Sequence, residues 1–174
     1  MRLILIFTTL LAFQSTASGD FDETKRLALQ GNIYMQNNLA NMYLEAGNKK
    51  EAVYWYTKAA DQGVVSAQGM LAYLYKEGIG VPENDALAVK WYREAAVQGD
   101  ANHQYNLGLM YASGEGVPEN NIRAYVWWSM AKTQGNISAA NNIDILKPKM
   151  TTQQIADGQA LATKCYESNY KDCD

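Results

Sequence analysis

The sequence predicts an all-α fold, a solenoid of stacked helical hairpins, and three observations carry that prediction. The first is self-similarity at a fixed period. Gly80 and Gly116, Pro82 and Pro118, Trp91 and Trp127, and Gln98-Gly99 and Gln134-Gly135 are each 36 positions apart, and Trp55 and Gln62-Gly63 stand 36 before Trp91 and Gln98-Gly99. A period of about 20 to 50 residues marks one supersecondary unit stacked several times, each burying its apolar face on the next. The second is helical spacing within a unit: Leu71, Ala72 and Tyr75, matched by Leu107, Gly108 and Tyr111, fall on one side of a helix. A partner helix carries Ala88, Trp91, Tyr92, Ala95 and Ala96 in one copy and Ala124, Trp127, Trp128 and Ala131 in the next, so large rings face small gaps. The third is the link between them, KEGIGVPEN or ASGEGVPEN, where Gly78 and Gly114 suit the left-handed end of a helix and Pro82 and Pro118 forbid its continuation. Asn84 and Asn120 then stand where a cap for the second helix belongs.

Taken in order, the chain opens with MRLILIFTTLLAFQSTASGD, in which one basic residue, Arg2, precedes an apolar run from Leu3 to Phe13 and a small polar region. That is the layout of a secretory signal peptide over residues 1–19, with cleavage after Ala17 or Gly19. The run is too short for the ~20 apolar residues that span a bilayer. Residues 20–31 read as an N-terminal capping helix, ending in the same Gln-Gly as the full units and covering the first apolar face. Residues 32–63 form a first, short repeat whose turn is Gly47-Asn48, with Asn48 and Glu51 spaced as a capping box. Repeats follow at 64–100 and 101–136. Residues 137–174 read as C-terminal capping helices, broken near Pro148, restarted by a Thr151/Gln154 cap, and expected to cover Trp127 and Trp128.

The runs HQYNLGLMYASGEGV and AYVWWSMAKTQG resemble the Sel-one-like repeats, a variant of the tetratricopeptide helix-turn-helix, over residues 36–136. The resemblance implies a right-handed α-solenoid that serves mostly as a scaffold for protein–protein contacts and has no shared active site. It also implies a concave face lined by first-helix positions off the packing stripe: Tyr34, Asn37 and Asn41, then Gly69, Tyr73 and Lys76, then Asn102, Tyr105 and Leu109. Such a surface, aromatic and amide-rich, suits an extended peptide or a partner helix. One branch of the family has a cysteine pair in every repeat and an associated penicillin-binding or β-lactamase activity, but no cysteine falls inside the repeats here.

Other chemistry is sparse. The formal charge is -3 and no lysine or arginine cluster occurs, which excludes the electrostatic footprint of a nucleic-acid binder. Cys165 and Cys173 are the only cysteines, and in an exported chain they are expected to pair. Without a CxxC motif or a histidine cluster, no metal or other cofactor is expected. Ser129 and Lys132 have the S-x-x-K spacing of serine β-lactamases but lack the accompanying motifs, and Ser129 matches Arg93 and Thr57, a solvated position. His103 is the sole histidine and reads as a groove-edge or half-buried side chain. Glu83 and Asp85 fall at a helix start, where the helix dipole accounts for them. The expected function is a non-catalytic adaptor, periplasmic or else secreted, that captures a protein or peptide in its groove. The alternatives are a β-lactam or cell-wall hydrolase and a structural subunit of an envelope or motor assembly.

Overall fold

The computed structural model describes residues 20–173. The signal-peptide assignment for 1–19 therefore lies outside the described residues. Residues 20–29 are helical (α1). Next come α2 (Ile33–Glu45), α3 (Lys49–Ala60), α4 (Val65–Lys76), α5 (Asp85–Ala96), α6 (Ala101–Ser113), α7 (Asn121–Thr133), α8 (Ile137–Leu146) and α9 (Thr152–Glu167), with a short 3-10 turn at Lys147–Lys149. No strand occurs among the described residues. Successive pairs α2/α3, α4/α5 and α6/α7 pack as hairpins, and each hairpin packs on the next.

The packing stripe is where the periodicity puts it. Leu39, Leu71 and Leu107 are fully buried, as are Ala52, Ala59, Ala88, Ala95, Ala124 and Ala131 on the partner helices, with Trp55, Trp91 and Trp127 between them. The pairing of ring size with gap size is copy-specific. Tyr56 and Tyr92 occur in the repeats that carry Ala40 and Ala72, whereas the larger Trp128 occurs with Gly108, and a Cβ at Gly108 would come within 2.5 Å of the indole.

The links use their glycines in two ways. Gly78 and Gly114 have φ of 63° and 74°, the left-handed geometry that closes the first helix. Gly80 and Gly116 are also left-handed, and they meet the neighbouring repeat. A Cβ at Gly80 would lie 2.5 Å from the Lys49 carbonyl oxygen at the start of α3, and one at Gly116 would overlap the Asp85 carbonyl at the start of α5. Side-chain oxygens of Asn84 and Asn120 accept from the amides of Leu87 and Arg123, at 2.9 and 3.0 Å. The capping box expected at Asn48 is corrected. This turn is four residues shorter, Asn48 has φ -83° in place of the extended -155° of Asn84, and its side chain makes no cap bond. At the other end, Thr151 and Gln154 form the expected box.

Three glutamines weld the stack. The amide of Gln68 donates to the Ala60 carbonyl at 3.2 Å, and its oxygen accepts from Gln98 at 2.7 Å. The same clamp recurs as Ala28, Gln36 and Gln62, and as Ala96, Gln104 and Gln134. It explains the periodic Gln-Gly. It also shows that α1 meets α2 as the second helix of a hairpin would, with Phe21 edge-on to Tyr43 at 5.5 Å. The register ends at Ala140, which stands where the next glutamine would be. There α9 closes the array by lying on α7, with Gly158 against Tyr125. Trp128 also packs back on α6, through Gly108 and a 3.1 Å bond from the indole N–H to the Tyr105 carbonyl, with Asn142 and Ile145 of α8 beside it.

Candidate interaction groove

The first helices of three successive hairpins wall two adjoining cavities. One, about 560 Å³, is lined by Tyr34, Asn37, Asn38, Ser66, Asp100 and His103, among others. The second, about 440 Å³, is lined by Asn37, Asn41, Ser66, Gly69, Tyr73, Tyr92, His103 and Asn106 with Met70. Asn37, Ser66 and His103 border both, so the two form one trough crossing α2, α4 and α6.

Of the residues expected there, Tyr34, Asn37, Asn41, Gly69 and Tyr73 line the trough, and the rings of Tyr34 and Tyr73 are exposed. Asn37 accepts from the Ser66 hydroxyl at 3.3 Å, and Asn41 accepts from the Tyr56 hydroxyl, so at both positions the carbonyl is engaged. The other four lie outside both cavities. Lys76 bridges to Glu115 of the following repeat at 3.0 Å, which raises its pKa, first through that hydrogen bond. Asn102 lies in the first turn of α6, exposed, outside both cavities. Tyr105 is half-buried against the core. Leu109 is exposed on α6, also outside both cavities.

At the centre of the trough is His103, half-buried on the groove lining as the sequence suggests. His103 packs face to face with Tyr92, ring centroids 6.0 Å apart, in the space left by the missing side chain of Gly69. Its Nε2 lies 3.8 Å from Asp100, whose carboxylate caps α6 by accepting from the amides of Asn102 and His103. Burial holds the imidazole below its usual pKa, against the opposing pull of Asp100, and its Nδ1 is buried without a hydrogen-bond partner among the described residues. Met35 and Ala67 occupy the corresponding positions of the other repeats, so the histidine is a departure from the repeat, as is Gly69 opposite it. One repeat further along, Ala112, Trp128, Asn142 and Ile145 help to line a smaller cavity of about 200 Å³.

Nothing here assembles a reactive centre from Ser129. Its hydroxyl donates to the Tyr125 carbonyl of its own helix at 2.7 Å, while Lys132 is exposed. Ser129 is half-buried facing α9, not solvated as its register suggests. Among the described residues no group of three His, Cys, Asp or Glu side chains is placed to hold a metal, and no helix is long and apolar enough to cross a membrane. Cys165 and Cys173 are bonded to each other, with Cα atoms 4.4 Å apart.

Comparison with known proteins agrees with this architecture. The family model of the Sel1 repeat matches residues 33–64, 65–100 and 104–136. A protective antigen present in uropathogenic Escherichia coli strains, displaying an SLR fold, is similar with 30% identity and a TM-score of 0.79, over 86% of this chain and 34% of that one. This chain thus spans about a third of that protein's length. A Sel1 repeat protein from Oxalobacter formigenes is 33% identical with a TM-score of 0.66, over 72% of this chain and 97% of that one. Comparison with curated proteins finds no match. Sel1 repeat proteins generally act as protein-interaction scaffolds. With three tandem matches that together span more than half of the chain, the chain belongs to the Sel1 repeat family.

Proposed function

We propose that this chain is an exported, non-catalytic adaptor that captures a segment of another protein in the trough across α2, α4 and α6. The observation that carries the reading is the lining itself: exposed rings at Tyr34 and Tyr73 alternate with amide groups at Asn37, Asn38, Asn41 and Asn106 around a floor of Gly69 and His103. Amide side chains both donate and accept, so they match a peptide backbone, whose groups also do both. Ionised side chains are few there, with Asp100 engaged as a helix cap. The apolar leader of residues 1–19 and the Cys165–Cys173 bond support an oxidising compartment, the periplasm first and the outside of the cell second.

The test is partner recovery with paired variants. Native envelopes are passed over the wild-type protein, a Tyr73→Ala/Asn37→Ala variant, and Ser129→Ala as a control on the α7/α9 face. The expected result is a protein bound by wild type and control and reduced at least about tenfold by the trough variant, equivalent to ~1.4 kcal/mol. Equal recovery by all three contradicts the reading.

A further inference from the structure

The C-terminal tail does more than end the last helix. After α9 the chain turns back through Asn169 and Tyr170, at φ of 53° and 66°, the two non-glycine residues with positive φ among those described. Left-handed backbone at a tyrosine is unfavourable and persists only where its surroundings over-determine it. Here several contacts do so. The Tyr170 amide donates to the Cys165 carbonyl at 2.8 Å, the Ser168 hydroxyl bonds the same carbonyl at 3.0 Å and accepts from the Asp172 amide at 2.9 Å, and the disulfide closes the loop. The outcome is that the Tyr170 ring leaves α9 and lies on Gly99, where a Cβ would come within 3.0 Å of it. Gly99 belongs to the turn between α5 and α6, next to Asp100, which caps α6 and faces His103 in the trough. One run of contacts therefore joins the disulfide to the trough, through Tyr170, Gly99, Asp100 and His103.

We propose that residues 165–173 form a redox-released clasp on the α5–α6 turn, and that the closed disulfide fixes the segment carrying Asp100 and His103 into the trough. Opening it requires an external dithiol. Its thiolate attacks one sulfur of the pair, the S–S bond breaks, a second attack completes the release, and both cysteines end as thiols while the dithiol becomes a disulfide, two electrons and two protons having been transferred. Without the covalent tie, only the hydrogen bonds among Cys165, Ser168, Tyr170 and Asp172 hold the left-handed turn, the ring lifts from Gly99, and the turn loosens. The effect on ligand capture rests on the function proposed above, whereas the clasp is tested without any ligand.

Amide hydrogen exchange of the full chain reads it directly. On addition of dithiothreitol, exchange across residues 97–104 is expected to accelerate about tenfold or more, while residues 33–60 of the first repeat keep their rates. Tyr170→Ala, with the disulfide intact, is expected to loosen the same segment, and Tyr170→Phe to protect it. The single histidine gives a second readout: on reduction the His103 imidazole, followed by NMR, titrates closer to its ordinary value. Unchanged rates at 97–104 after reduction, equal acceleration in 33–60, or full protection in Tyr170→Ala would each overturn the clasp. Loss of partner recovery failing to follow a demonstrated opening would count against the trough alone.

Discussion

At the scale of single residues, the repeats differ from one another by compensated substitutions. Trp128 has the room it needs because Gly108 replaces the alanine of the other copies, so adding one methyl group there overfills the core. Gly108→Ala is expected to cost about 1–3 kcal/mol in urea melts, and Gly108→Ala/Trp128→Tyr, which restores the pairing of the first two repeats, to recover most of it. His103 shows the same logic with Gly69, and it carries a proton-linked consequence. Because burial lowers its folded-state pKa, the folded chain favours neutral imidazole. The unfolded chain takes up the proton first as pH falls, so this contribution is complete above about pH 6.5 and is lost as pH drops through the lower folded value. Melting temperature followed downward from neutral pH should fall more steeply in wild type than in His103→Gln, and identical slopes would contradict the assignment.

At the scale of helices and turns, much of the architecture was legible. Helical spacing of leucine, small residue and ring located the hairpins, and the asparagines before α5 and α7 located their caps. Asn48 misled because a matching pair of residue types does not ensure the extended backbone that a cap requires, and the shorter turn withholds it. The buried glutamines were missed for a different reason. Gln36, Gln68 and Gln104 recur in register, but a polar side chain beside an apolar stripe reads as solvated unless its distant partners are known. Those partners become neighbours only in the fold: the glutamine 26 or 30 residues on when the hairpin closes, and the carbonyl of the preceding helix when one hairpin stacks on another. Gln68→Leu should therefore destabilise by about 1 kcal/mol, since it removes one of the two bonds that reach the Ala60 carbonyl and one of the two that the Gln98 amide makes. A Gln68→Leu/Gln98→Ala cycle should show the two changes to be non-additive, and strict additivity would remove the clamp.

At the scale of the whole molecule, the trough is a property of stacking and was only half visible beforehand. The family resemblance pointed to Tyr34, Asn37, Asn41 and Tyr73, which do line it. Lys76 of the second repeat and the positions assigned to the third did not join them. At Tyr105 the ring packs against the core, and the Lys76 ammonium is bound to the link of the next repeat, contacts set by how one hairpin leans on another rather than by spacing within either. The same stacking places Asp100, His103 and Tyr92 at the centre and carries the disulfide tail to their back. The claim that this trough is the working surface is tested most directly by site-specific photo-crosslinking in native envelopes, with the probe at Tyr73 in the trough and at Tyr166 on α9. The account predicts a discrete partner adduct from position 73 and none from position 166. Adducts from 166 alone, or from neither position, would contradict it.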